Sequence, residues 1–341
     1  NGTLHVSEFR SDPVTGQWVI VAENRLARPN EYAAAAAIPG SEDCPFCEGR
    51  EERTPPEIEA VRRPGTGADQ PGWTVRTIPN KFPTVARTAS RVPTAGETEE
   101  FSAAPGTGVH EVIIQSPRHE PLMPFLPLDQ RKSILHTFRN RVRALNAEPL
   151  IQSVLLFENA GPESGGTLYH PHSQVVALPL VPPVLKEEVS GAQRWARSHH
   201  GACVWESIGT IEQSVRSRLV WEDRELLAFA SWASRFPFEM MILPRRHAAS
   251  ISDATDAELD RLAEALPDLL RAFLKVQPQA SYNYFLHNAP IPTSIEGEFH
   301  WHWHLAPRLI RPDGFELGDG ISVNPVSPES AAEAIRTALG T

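Results

Sequence analysis

Glu111-Val-Ile-Ile-Gln-Ser-Pro-Arg-His119 and Glu239-Met-Met-Ile-Leu-Pro-Arg-Arg-His247 read alike: a short apolar strand pattern closes on a basic residue and a histidine. The same succession follows each. After His119, Leu135, Phe138, Val142 and Leu145 recur at helical spacing. A buried strand pattern, Val154-Leu-Leu-Phe-Glu-Asn-Ala-Gly161, then leads through a Gly-rich turn to His170-Pro-His-Ser-Gln-Val-Val-Ala-Leu178. After His247, Thr255 and Glu258 form a capping-box pattern ahead of Leu259, Leu262, Leu266 and Leu270 on one helix face. Tyr282-Asn-Tyr-Phe-Leu-His-Asn-Ala-Pro290 and Phe299-His-Trp-His-Trp-His-Leu-Ala-Pro307 close that half. His119 and His170 are 51 residues apart, and His247 and His300 are 53 apart. Two equal spacings can arise by chance, but matching flanks point to duplication. The expected fold is therefore α+β, with two duplicated halves, each a mostly antiparallel sheet with packed helices. The expected halves are 1–190 and 191–341.

Composition bounds the function. The chain has 341 residues, 41% apolar and 22% charged, enough to bury a sizeable core and to form about two domains. Its 32 Pro and 21 Gly imply many turns. Residues 31–42 and 86–108 are small, Pro- and Gly-rich and aperiodic, and read as exposed loops. A net charge of −10 and the lack of basic runs argue against nucleic acid. No stretch approaches the ~20 apolar residues of a membrane span, and the chain opens on Asn-Gly-Thr, which suggests processing and no secretory leader. Three cysteines, at 44, 47 and 203, are too few and of the wrong parity for a disulfide scaffold. The expected compartment is the cytoplasm and the expected partner a small substrate.

Cys44-Pro-Phe-Cys47 supplies two thiols two residues apart. Buried thiols and a redox pair are open readings, but its acidic, Pro-flanked context does not suggest a strand before it and a helix starting at the first thiol. Half of a tetrahedral zinc site is the stronger reading, with His119 and His170 as further ligands. The repeat then places a second, weaker metal clip at His200-Gly-Ala-Cys203, with His247 and His300; a lone core cysteine beside surface histidines is the alternative. Both sites, if closed, are structural. On a strand His172 lies on the face of His170, so a metal on His170 holds His172 beside it without binding it. Neutral imidazole is a nucleophile at pH 7. Gln174, two residues on, can donate to a phosphoryl oxygen. The Gly161–Thr167 stretch, through backbone donors around Gly165, the Thr167 hydroxyl and nearby Asn159, can cradle a phosphate. A bland cluster of histidines is the competing view.

These residues resemble the galactose-1-phosphate uridylyltransferase family of the histidine-triad superfamily, including its ADP-glucose phosphorylase-like branch. The resemblance runs through Phe9-Arg-Ser-Asp-Pro-Val-Thr-Gly-Gln-Trp-Val-Ile20, Arg25-Leu-Ala-Arg-Pro29, the Cys44–Cys47 motif, Asn80-Lys-Phe-Pro83, Ser116-Pro-Arg-His119, Phe157-Glu-Asn159, His170-Pro-His-Ser-Gln174, Gly314-Phe-Glu-Leu-Gly318 and Asn324-Pro325. It implies a nucleotidyltransferase with ping-pong exchange. His172 takes the nucleotidyl group from a nucleotide sugar as a phosphoramidate and passes it to a sugar 1-phosphate. It also implies zinc on Cys44, Cys47, His119 and His170, and Gln174 on the transferred phosphoryl group. Arg25, Arg28 and Asn80 would line the nucleotide pocket, Asn159 and Thr167 would hold phosphates, and Glu316 would hold sugar hydroxyls. A homodimer with shared active sites is expected.

The second metal site departs from one family pattern, a second CxxC where this chain has His200 and Cys203. Another family arrangement uses residues matching His287, His302 and His304 with a glutamate near Glu188, and this chain has both sets. His304 stands where many relatives carry Glu. The reading is UDP-glucose plus galactose 1-phosphate; the alternatives are ADP-glucose phosphorylase, a hydrolase in which water resolves the intermediate, or a zinc-stabilised binding protein with a disabled site. Arg is 28 of the 32 basic residues, which suggests a GC-rich genome and leaves room for a specialised-metabolite substrate.

Overall fold

Alternation along the strands builds the core. Leu226, Ala228, Ala230, Met240 and Ile242 face one apolar cluster, while Leu227, Phe229, Met241 and Leu243 face another. That is the period-two signature of strands covered on both sides. The computed structural model describes residues 7–23, 25, 42–87, 105–291, 294–295 and 297–340. In chain order its elements are β1 (Glu8–Ser11), β2 (Trp18–Val21), β3 (Glu59–Arg62), β4 (Trp73–Pro79), β5 (Val109–Ile114), α1 (Leu128–Asn146), β6 (Ser153–Ala160), β7 (His172–Leu178), α2 (Pro183–Ser198) and α3 (Val204–Val215). They continue as β8 (Leu219–Glu222), β9 (Leu226–Ala230), β10 (Met240–Pro244), α4 (Asp256–Val276), β11 (Tyr282–His287), β12 (His302–Pro307), α5 (Gly314–Asp319), β13 (Ser322–Asn324) and α6 (Pro328–Leu339).

Ten strands form one sheet in the order β3-β4-β5-β7-β6-β11-β12-β10-β9-β8. Every pair in it is antiparallel. From its centre outward each side repeats the other: β6, β7, β5 and β4 answer β11, β12, β10 and β9. The duplicated α+β fold expected from the histidine spacing is what the chain forms, with the two halves meeting at the β6–β11 pair of one continuous sheet. β1, β2 and β13 make a small separate sheet.

One face of the large sheet is covered by α1, α4 and α6. Leu135, Phe138, Val142 and Leu145 of α1, and Leu259, Leu262, Leu266 and Leu270 of α4, are all buried there. Each contributes about 2 kcal/mol of apolar burial. The Thr255 hydroxyl accepts from the Glu258 amide at 3.2 Å and the Glu258 carboxylate accepts from the Thr255 amide at 2.7 Å, closing the capping box. On the other face α2 and α3 cover the second half, whereas among the described residues the first half carries the smaller cluster of Trp73, Ile78, Val112 and Ile114 with Phe46 packed on it.

Two strand ends differ from the expectation. The pattern running to His119 stops as β5 at Ile114, and the one running to His247 stops as β10 at Pro244. His119 and His247 therefore lie beyond the strand ends, on the segments that follow β5 and β10. The stretches 31–42 and 86–108 lie largely outside the described residues.

Candidate active site

Cys44 and Cys47 lie in a run of turns before the first strand of the large sheet, and His119 and His170 reach them from segments flanking β5 and β7. The Cys44 thiol is 3.6 Å from His170 Nδ1, and the Cys47 thiol is 3.7 Å from the same nitrogen and 3.9 Å from His119 Nδ1. All four ligand atoms fall within 4.8 Å of one another. A tetrahedral ion with bonds of 2.0–2.3 Å needs ligand atoms about 3.3–3.8 Å apart, so the donor set and spacing suit zinc. His170 Nε2 donates to the Ser116 carbonyl at 2.7 Å, leaving Nδ1 as the lone-pair nitrogen on the metal side. Burial holds the His170 imidazole down to about 4, so it is neutral at pH 7. Phe46, inside the cysteine motif, packs edge-on against His170 at 5.9 Å and against His172 at 5.3 Å.

His172 opens β7, whose residues alternate between the core (Ser173, Val175, Ala177) and a half-buried face (His172, Gln174). Its Nδ1 lies 2.7 Å from the His170 carbonyl, which can only accept. Nδ1 therefore carries the proton and Nε2 the free lone pair. Burial lowers the affinity of this imidazole for a second proton. Asn159 stands one step beyond the Glu158–Ser173 pair, level with His172 across β6 and β7. Its Oδ1 accepts from Asn283 at 2.7 Å. Gly161 and Gly165 adopt φ of 87° and 85°, turning the chain between β6 and His170, and Thr167 is exposed.

Beneath this face, Glu158 is a buried hub. Its Oε2 accepts from Gln115 Nε2 at 2.5 Å, the Tyr284 hydroxyl at 2.5 Å and the Ser173 hydroxyl at 3.0 Å. The four residues tie β6, β7, β11 and the end of β5 together. Burial pushes the Glu158 carboxyl up to about 7, against the pull of those donors.

The second half repeats the geometry with different chemistry. His302 Nδ1 donates to the His300 carbonyl at 2.9 Å, as His172 does to His170. Around it Glu188 of α2, His287 of β11 and His304 of β12 bring one ligand atom each within 4.8 Å of the others. Glu188 accepts from His287 Nδ1 at 2.7 Å. Burial alone would raise its carboxyl, but His287 and His302 hold it well below the usual range. Among the described residues Glu188 Oε2, His302 Nε2 and both nitrogens of His304 are buried without a hydrogen-bond partner, although His302 Nε2 and His304 Nδ1 lie 3.8 Å from the Glu188 and Glu239 carboxylates. Three imidazoles and a carboxylate with orphaned ligand atoms suit a divalent transition metal.

A third group joins Cys203, Glu206 and His247 within 4.8 Å. Cys203 and His247 were expected together; Glu206, one helical turn into α3, was not. His200 is exposed on the preceding turn and outside the group, and His300 has both nitrogens against backbone, at 3.1 Å from the Ala248 carbonyl and 2.8 Å from that of Pro244.

The other expected residues are spread wider. Asn80 faces Gln174, with Nδ2 3.4 Å from Gln174 Oε1. Arg25 pairs with Asp313 at 3.1 Å, and Glu316 accepts from the Asp313 and Val323 amides at 3.0 and 2.8 Å, so both engage Asp313, the residue that caps α5. Arg28 lies outside the described residues. Sequence reasoning missed His110, Glu158, Phe46 and Glu206. A signal existed for His110: it sits two residues before Val112, which pairs with Gln174, and so on the same face of the sheet.

Residues 2–182 match the model of the galactose-1-phosphate uridyl transferase N-terminal domain and residues 189–318 that of the C-terminal domain. An ADP-glucose phosphorylase of Arabidopsis thaliana is 30% identical over 96% of this chain and 92% of its own length. A galactose-1-phosphate uridylyltransferase of Thermotoga maritima is 27% identical over 96% of this chain and 98% of its own. The crystal structure of the Arabidopsis ADP-glucose phosphorylase with bound ADP-glucose superposes with a TM-score of 0.82 and 29% identity, over 97% of this chain and 99% of that one.

Proposed function

The chain belongs to the galactose-1-phosphate uridyl transferase family, and from that premise we propose that it exchanges a nucleoside monophosphate between a nucleotide sugar and a hexose 1-phosphate through His172. The observation that carries the reading is the tautomer of His172. With Nδ1–H held by the His170 carbonyl, Nε2 is a neutral nucleophile on the half-buried face of β7 and needs no base to activate it. Nε2 attacks the α-phosphorus, the bond from that phosphorus to the bridging oxygen breaks, and sugar 1-phosphate leaves with the electron pair. The nucleotidyl group then sits on Nε2, and the positive charge on the ring is steadied by the same carbonyl. A second sugar 1-phosphate reverses the step and takes the group.

In this reading Gln174 donates to a phosphoryl oxygen, and Asn159, Gly165 and Thr167 hold phosphates. Asn80 borders the base pocket; Arg25 and Arg28 belong to it and Glu316 to the sugar. Catalysis lies in residues 1–190, and the second metal site draws on 191–341 together with Glu188. Zinc on Cys44, Cys47, His119 and His170 is structural: when bound it cross-links the segments around His172 and contributes no step. For the second metal, the orphaned nitrogens of His302 and His304 favour the Glu188 set over Cys203, His247 and His300. We read the protein as a cytoplasmic homodimer.

UDP-glucose and galactose 1-phosphate are the first substrate pair. A second reading, adenylyl transfer from ADP-glucose, is supported by the 30% identity and the TM-score of 0.82 with the Arabidopsis ADP-glucose phosphorylase. Incubation with UDP-glucose or ADP-glucose labelled in the α-phosphate, followed by peptide mass mapping, separates the two. The expected adduct sits on His172 and disappears in His172→Asn; labelling that survives this substitution overturns the reading.

A further inference from the structure

Gln174 can assist phosphoryl transfer only if its amide nitrogen, and not its carbonyl oxygen, faces the incoming oxyanion. The two ends of an amide are nearly isosteric, so something must choose between them. We propose that His110 is a positioning residue that locks the Gln174 amide with its NH2 toward the phosphoryl group. The proposal rests on the reading of His172 and Gln174 given above.

Two backbone N–H groups fix the orientation. The Thr84 amide donates to His110 Nδ1 at 3.0 Å. A neutral imidazole with Nδ1 accepting must carry its proton on Nε2. That nitrogen lies 2.9 Å from Gln174 Oε1 and donates to it. Independently, the Phe82 amide donates to Asn80 Oδ1 at 2.8 Å, so the other end of Asn80 is its NH2. Asn80 Nδ2 points to the same Gln174 oxygen at 3.4 Å. It also lies 3.1 Å from His110 Nε2, two donors converging on one acceptor. Gln174 Oε1 is thus doubly engaged, while no hydrogen bond holds Gln174 Nε2 among the described residues. The amide nitrogen is left for the substrate, on the face of β7 that presents His172. His110 itself is buried, on β5, beside the strand of the nucleophile.

A pair of substitutions separates positioning from mere packing. In His110→Asn the shorter amide reaches the place of Nδ1, keeps the Thr84 contact and cannot reach Gln174. In His110→Gln the longer amide reaches the place of Nε2 and restores a donor to Gln174. The readout is the single-turnover rate of His172 nucleotidylation at saturating nucleotide sugar, per labelable site, with the melting temperature of each variant alongside. H110N is expected to react about tenfold more slowly, the scale of one lost hydrogen bond, with KM little changed. H110Q should stay within about threefold of wild type. In a Gln174→Ala background H110N should add no further loss. Equal rates for H110N and wild type, or losses that multiply with Gln174→Ala, overturn the proposal. A wild-type chain that is never labelled at His172 overturns the functional reading beneath it and this proposal with it.

Discussion

Glu158 offers a quantitative test of the buried network under the strand of His172. Its carboxyl titrates near 7 in the folded chain against an ordinary 4.5, because burial penalises the charged form more than the three donors favour it. The consequence for stability has a definite sign. Below pH 4.5 the group is protonated in both states and contributes no penalty. Between 4.5 and about 7 the unfolded chain releases the proton while the folded chain keeps it, so stability falls as pH rises. Above about 7 the loss is complete, and a gap of that size corresponds to about 3 kcal/mol. Glu158→Gln keeps a carbonyl to accept from Gln115, Tyr284 and Ser173 and cannot ionise. Urea unfolding of both proteins from pH 5 to pH 8.5, followed by tryptophan fluorescence, gives the difference in unfolding free energy at each pH. The expected result is a gap that moves in favour of E158Q by about 2.5 kcal/mol between the ends of that range, the part of the loss below pH 5 falling outside it. Parallel curves for the two proteins would refute the assignment of a protonated Glu158 and with it the account of this hub.

Two further predictions concern the metal clip and the turn before it. Cys44→Ser should strip zinc from the Cys44–Cys47–His119–His170 set, seen as lost metal by mass spectrometry, and lower both the melting temperature and the rate of His172 labelling; unchanged zinc content contradicts the ligand assignment. Gly161→Ala places a Cβ 2.4 Å from the Ser281 hydroxyl at a φ of 87°, which should cost about 1–3 kcal/mol in a denaturant titration and slow turnover; a variant as stable as wild type contradicts the turn geometry.

Much of the architecture was readable because it is local. The capping box at Thr255 and the apolar faces of α1 and α4 depend on residues three and four apart, and they form as the spacing predicts. The duplication was legible in the recurrence of Pro-Arg and His at matched intervals, and the cysteine pair needed only a two-residue spacing. What periodicity does not encode is which residues meet from distant strands. Glu206 and not His200 stands beside Cys203 and His247, because α3 starts at Val204 and carries Glu206 in its first turn, while His200 lies on the turn before the helix. Likewise Arg25 pairs across nearly the whole chain length with Asp313, the residue that caps α5 and whose amide Glu316 accepts, a contact that no local pattern announces.

By itself, the amino-acid order determined the duplicated α+β plan, two cysteines and two histidines that converge as a candidate metal set, and a histidine two residues beyond one of them. Those features follow from the covalent periods of helix and strand, which are the same wherever the segment lies. The tertiary structure alone decided the chemical state of the site. It put the His170 carbonyl against His172 Nδ1, the Thr84 amide against His110 Nδ1, and four strands around the Glu158 carboxylate. Protons go where donors and acceptors converge in space, and that convergence is set by strand register and burial.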